Sequence, residues 1–148
     1  MPKHILVATD GSALADKATV YALDLAKATG AKVTAVTVSE SWSPVDIAAK
    51  VQAGQMKAVQ EFEEHASKVA AKVLGHATEI AQKNGVAIET AHIADAHPAE
   101  GIVNAAEIRG CDLIAIASHG RRGISKMVMG SVAQEVMALS KIPVLVCK

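Results

Sequence analysis

The sequence predicts an α/β domain: a parallel five-stranded sheet, Rossmann-like, with two helices on each face. Three observations predict it. Short continuous apolar runs, "ILVA", "LIAIA" and "VLV", recur along the chain, and runs of that kind belong to strands covered on both sides. Between them lie segments with apolar residues at spacings of three and four, the period of an amphipathic helix. The 148 residues are 51% hydrophobic but only 2% aromatic, so Ala, Val, Ile and Leu must fill the core, as suits packing between a sheet and helices. Strands that alternate with helices imply right-handed crossovers between parallel neighbours. No linker, low-complexity tract or composition shift divides the chain, so residues 1–148 read as one domain.

His4 to Thr9, "HILVAT", is the first strand, followed by the turn pair Asp10-Gly11. Ser12 can cap a first helix whose Leu14, Ala18, Ala22 and Leu25 share a face and which ends at Gly30. "KVTAVTV", Lys32 to Val38, is the second strand, and "SESWSPVD" reads as a loop holding Trp42, a loop anchor. A long helix follows, with Val59, Phe62, Ala66, Val69, Val73, Ala77 and Ile80 in register, stopping at Asn84-Gly85. Val86 to Ile93 alternates as a third strand. Pro98 opens a helix with Ile102, Val103 and Ala106 inward, ending near Gly110. Asp112 to Ala117 is a fourth, buried strand. From about Met127 a last helix carries Val132, Val136 and Leu139, and Pro143 to Cys147 makes the fifth strand.

Several function classes are disfavoured. Fifteen Lys plus Arg balance fifteen Asp plus Glu, which argues against a long nucleic-acid footprint but not against a local anion site. "MPKHILVATD" lacks the charged and apolar regions of a secretory leader. No apolar run approaches the ~20 residues of a membrane span. Cys111 and Cys147 have no metal-type spacing, and the ends of neighbouring parallel strands keep them too far apart to bond. These features together predict a reducing, cytoplasmic setting. His65 and His76, eleven apart on the long helix, have no acidic or cysteine partner at ligand spacing, so no metal site is assigned.

In an open parallel sheet, ligands bind beyond the carboxyl ends of the strands, where strand order reverses. Two loops look specialised for that place: "ATDGS", Ala8 to Ser12, and "SHGRRGISKMVMGSVAQEV", Ser118 to Val136. They meet only if the first and fourth strands are neighbours, as they are in the order 3-2-1-4-5. Glycine lets backbone approach a ligand closely. Gly130-Ser131 lies near the start of the last helix, with Gln134 at capping-box spacing from Ser131. Unpaired N–H groups and the helix dipole there favour a phosphate, and Arg121, Arg122 and Lys126 add positive charge. No Walker motif and no G-x-G-x-x-G is present.

"ILVATDGS", "HPAEGIVNAAEIRGCDLIAIASHGRRG" and "MGSVAQEVMALSKIPVLVCK" resemble the universal stress protein family over essentially the whole chain. That resemblance implies its adenine-nucleotide α-hydrolase-like fold. The ATP-binding branch of the family carries G-x-x-G-x9-G-[ST]. Gly120, nine intervening residues, Gly130 and Ser131 fit it, whereas Ala117 stands where the first glycine belongs. The resemblance implies that Ala8, Thr9 and Asp10 meet the adenosine and Val38 packs on adenine. It places Ala117, Gly120, Arg121 and Arg122 around ribose and phosphates, and gives the phosphates to Gly130, Ser131 and Val132. It also implies ATP as ligand, with Mg or Mn, in a stress-response module that is regulatory or protective. The alternatives are a nucleotide-independent dimeric interaction protein and a slow, divalent-ion-dependent ATP hydrolase.

Plainer roles stand beside these. Asp10 can simply make the turn before the first helix, Gly120 and Gly123 can be loop punctuation, and Arg121 and Arg122 can be solvated charges. At Ala117 the methyl is expected to crowd the nucleotide, or to strain the backbone if φ is positive there, and so to weaken the grip. The fifth strand, Val144, Leu145 and Val146, falls at the sheet edge. An apolar edge of that kind, like the resemblance, points to a homodimer paired through it.

Overall fold

The five residues of β1 (His4–Ala8) alternate strictly: Ile5 and Val7 enter one helical layer, Leu6 and Ala8 the other. A strand buried on both faces belongs at the centre of a sheet, and β1 lies there. The computed structural model describes residues 1–40, 43–120 and 128–148. Its other strands are β2 (Lys32–Ser39), β3 (Glu89–Ala94), β4 (Leu113–Ala117) and β5 (Val144–Cys147). All pairings are parallel, in the order β3-β2-β1-β4-β5. Helices α1 (Ala13–Thr29) and α3 (Met56–Lys83) cover one face, and α4 (Pro98–Ile108) and α5 (Ser131–Leu139) the other. Fold class, strand order and the two-plus-two helical cover are those the sequence predicts.

The largest fully buried side chains are Ile5, Leu6, Leu23, Ile114, Val7, Val36, Val136, Thr19 and Thr34. None is aromatic, so the sheet-to-helix gap is filled by branched aliphatics set against alanines such as Ala18, Ala22 and Ala77. The buried threonines are satisfied: Thr19 Oγ1 donates to the Ala15 carbonyl at 2.9 Å, and Thr34 Oγ1 meets His4 Nε2 at 2.8 Å. At the amino end of the sheet, the Asp112 carboxylate accepts from the main-chain N–H of Lys3 (2.9 Å) and of His4 (3.0 Å). Those two amides hold its carboxyl below the usual carboxylate range. This clip fixes β1 beside β4 at the end opposite the loops of interest.

Four expectations about boundaries and faces are corrected. The segment read as the loop "SESWSPVD" runs, from its proline on, into α2 (Pro44–Gln52), which has Pro at its start and Ser43 Oγ accepting from the Asp46 N–H at 3.2 Å. Gly54, at φ 74°, separates α2 from α3. The third strand starts at Glu89, not Val86, because Gly85 (φ 68°) and the Val86 N–H, which donates to the Ala81 carbonyl at 3.0 Å, still belong to the end of α3. The last helix begins at Ser131; residues 128–130 are not helical, and Met127 lies outside the described residues. Val69 and Leu139 are not on the inward faces: they are exposed at 41% and 50%, whereas Ala70 of α3 and Ala133 and Val136 of α5 are buried. Trp42 also lies outside the described residues. Among the described residues no helix is long and apolar enough to cross a membrane.

Candidate functional site

From β1, strand order runs one way through β2 to β3 and the other way through β4 to β5, so a crevice opens beyond Ala8 and Ala117. The chain leaving β1 turns on its own polar side chains. Thr9 Oγ1 accepts from the Gly11 N–H (3.1 Å), Asp10 Oδ1 from the Ser12 N–H (2.9 Å), and Ser12 Oγ from the Ala15 N–H (3.2 Å). Gly11 takes φ 78°, where only glycine is unstrained. Ser12 therefore caps α1 as the sequence predicts. The turn role of Asp10 is real. A Cβ built on Gly120 would lie 2.8 Å from Asp10 Oδ2, so the same carboxylate also reaches the loop after β4.

That second loop is closed at its base. The Gly130 N–H donates to the Ser118 carbonyl at 2.6 Å. A Cβ at Gly130 would sit 2.9 Å from that oxygen and 3.4 Å from the His119 Cα, both main-chain atoms that cannot rotate away. The His119 ring meets Ser118 Oγ through Nδ1 at 3.0 Å and the Val128 carbonyl through Nε2. Gly130 is the N-cap of α5 and has no side chain to offer it, so the capping box expected between Ser131 and Gln134 does not form. Gln134 Nε2 instead donates to the Met129 carbonyl at 2.6 Å. The first α-helical bond is Gln134 N–H to Gly130 carbonyl, at 3.1 Å. The amides of Ser131, Val132 and Ala133 precede it and have no side-chain cap among the described residues, which is the arrangement that favours an anion.

The structure brings Thr9, Asp10, Gly120, Gly130 and Ser131 to this crevice. Val38, at the carboxyl end of β2, lies on the α4 side of it, partly buried against the core there. Gly101 was not singled out from the sequence. A Cβ on it would lie 3.1 and 3.2 Å from the Val38 methyls, so its absence lets α4 close over Val38. A glycine four positions into a helix costs about 1 kcal/mol against alanine, and that cost was the available signal. Ser118 and Gln134 were likewise not read as loop fasteners.

Of the two alternatives expected at Ala117, the strained backbone does not occur. Ala117 lies in β4, level with Cys147 of β5, and its φ is not positive, since Asp95 alone among the described non-glycine residues has a positive φ. The residue is 7% exposed and belongs to the core cluster under α1 and α3. Backbone strain at Ala117 is therefore absent. Arg121 and Arg122, with Gly123 and Lys126, lie outside the described residues. Among the described residues no three His, Cys, Asp or Glu side chains converge as metal ligands. His76 Nε2 pairs instead with Asp16 Oδ2 at 2.9 Å across α1 and α3, and His65 is exposed. The two cysteines are free and buried in opposite layers. Burial pushes the Cys111 thiol up to about 11 and the Cys147 thiol upward as well, so neither is a nucleophile near neutral pH.

Comparison with known proteins places this geometry. The chain is 33% identical to the universal stress protein YxiE of Bacillus subtilis, over 100% of both chains. Its fold matches the solved structure of the universal stress protein MJ0577 of Methanocaldococcus jannaschii with a TM-score of 0.76 at 26% identity, covering 99% and 95% of the two chains. A solved universal stress protein from Archaeoglobus fulgidus, in complex with dAMP, matches with a TM-score of 0.70 at 23% identity, over 99% and 98%. The sequence pattern described as the Universal stress protein family matches residues 1–148. A full-length family match and a relative one-third identical from end to end leave one conclusion: the chain belongs to the universal stress protein family.

Proposed function

We propose that this stress protein binds ATP in the crevice between the carboxyl ends of β1 and β4, as a regulatory or protective module. The observation that carries the reading is the convergence of three main-chain elements there: the turn after β1, the glycine-closed base of the loop after β4, and the uncapped first turn of α5. A polyphosphate matches the amides of Ser131, Val132 and Ala133, with the Ser131 hydroxyl beside them. The charges of Arg121 and Arg122 supply further neutralisation. The adenosine falls to Ala8, Thr9 and Asp10, with Val38 as the apolar surface for the base. A magnesium or manganese ion travels with the phosphates. The dAMP complex of the Archaeoglobus relative concerns that protein and, at 23% identity, a shared fold; the adenine preference proposed here comes from the family resemblance, through the matching residues Ala8, Thr9, Asp10 and Val38. His119 uses both ring nitrogens in the loop base, so no general-base role is assigned to it.

Acid extraction of the purified protein, followed by calorimetric titration with ATP and with GTP, tests this. Copurified adenine nucleotide, or ATP binding at micromolar concentration with GTP much weaker, supports it. No nucleotide bound and none taken up contradicts it and leaves the nucleotide-independent interaction protein.

We also propose that two copies pair through β5. One edge of Val144–Cys147 pairs with β4; among the described residues the other edge has no strand beside it, and Leu145 is 36% exposed there. Light scattering at micromolar concentration is expected to give twice the chain mass, and a monomer would contradict the pairing.

A further inference from the structure

We propose that His119 is a positioning residue, a clasp that joins the chain just before residues 121–127 to the chain just after them. The geometry carries it. The ring spans from Ser118 Oγ, 3.0 Å from Nδ1, to the Val128 carbonyl at Nε2. A carbonyl oxygen only accepts, so Nε2 must carry the proton. In the neutral ring Nδ1 then accepts from the Ser118 hydroxyl, which fixes one tautomer. Beside it runs the 2.6 Å bond from the Gly130 N–H to the Ser118 carbonyl. Ser118 is buried at 2% exposure and its own N–H donates to the Cys147 carbonyl at 2.7 Å, so the clasp is anchored on the β4–β5 ladder. Two adjoining fasteners thus hold residues 128 and 130 against residues 118 and 119, and loosening one loosens the other. They set where α5 begins relative to the end of β4.

The amides of Ser131 to Ala133 are two to four residues from Val128's neighbour Met129, with no helical bond before Gln134 to hold them. Their aim therefore depends on the clasp. In the ATP reading above, on which this part rests, His119 preorganises the phosphate-facing turn without touching the nucleotide. Preorganisation of this kind lowers the ordering cost of binding.

The test uses the full chain as wild type, His119→Ala, His119→Gln and His119→Asn. Glutamine reaches about as far as Nε2 and can donate to Val128; asparagine reaches only about as far as Nδ1. Without nucleotide, amide exchange of Gly130 is expected to quicken about tenfold in the alanine and asparagine variants and to return towards wild type with glutamine. Nitrogen NMR of the wild-type ring is expected to show the Nε2–H tautomer. ATP affinity is expected to fall several-fold with alanine and recover with glutamine. Unchanged Gly130 exchange in His119→Ala, or an Nδ1–H tautomer in wild type, would overturn the clasp. Wild type that binds no ATP while Gly130 exchange still follows the donor would overturn the nucleotide reading and keep the clasp.

Discussion

Replacing Gly130 with valine is expected to lower ATP affinity on the order of 100-fold or more while the sheet stays folded. The space it needs is occupied by main chain: the Ser118 carbonyl oxygen lies 2.9 Å from the new Cβ and the His119 Cα 3.4 Å. Neither can swing aside, so the start of α5 must move away from β4. The Gly130–Ser118 bond lengthens or breaks, and the amides of Ser131 to Ala133 lose their common aim. Hydrogen bonds to a charged group are worth about 1.5–3 kcal/mol each, so losing two accounts for the drop in affinity. Overpacking adds about 1–3 kcal/mol of destabilisation. Gly75 provides the control, since a Cβ there would meet nothing within 4 Å and its φ is not positive. Gly75→Ala is expected to leave ATP binding unchanged and to raise stability by up to about 1 kcal/mol, as alanine replaces glycine in a helix. Calorimetric titration and urea unfolding of both variants read these effects. Equal ATP affinity in Gly130→Val and wild type would contradict the role given to the loop base.

Leu23→Ala should be the most destabilising single truncation of the α1 layer. Leu23 is fully buried, and much of its cluster is alanine: Ala15, Ala18, Ala22, Ala26, Ala77, Ala81. Methyl-sized neighbours have no rotamers with which to fill a cavity, so relaxation is limited. The cost belongs in the upper part of the usual 2–5 kcal/mol for this substitution, about 3–4 kcal/mol. For a domain of this size that is roughly 6–16 °C in Tm. The urea midpoint should fall with the slope unchanged. A loss below about 1 kcal/mol would mean the layer can collapse, and that packing between α1 and the sheet is looser than the burial indicates.

What the sequence made legible follows from where the physics is local. Continuous apolar runs reveal buried strands, and glycines after periodic segments reveal helix ends, so Gly30 and Gly110, at φ 74° and 65°, fell where expected. Helix α2 was hidden because none of its residues is buried, so no inward apolar face marks it, and the left-handed Gly54 divides it from α3. The start of α5 was misplaced because residues 128–130 are held by contacts from Ser118 and His119, ten or so positions earlier. The paired loops of the candidate site were legible once β1 and β4 were taken as neighbours. Gly101 against Val38 and Ala117 in the core were not, since both are contacts between elements distant in sequence.

Occupancy of the crevice beyond β1 and β4 by adenine nucleotide is tested most directly by an amide NMR titration of the wild-type protein with ATP. Shifts are expected in Thr9 to Ser12, Ala117 to Gly120 and Gly130 to Ala133. The groove at the opposite end of the sheet, lined by Lys27, Gly30, Lys32 and Gly85, should stay unperturbed. Saturating shifts confined to that groove, or no shifts at millimolar ATP, would contradict nucleotide binding at the crevice.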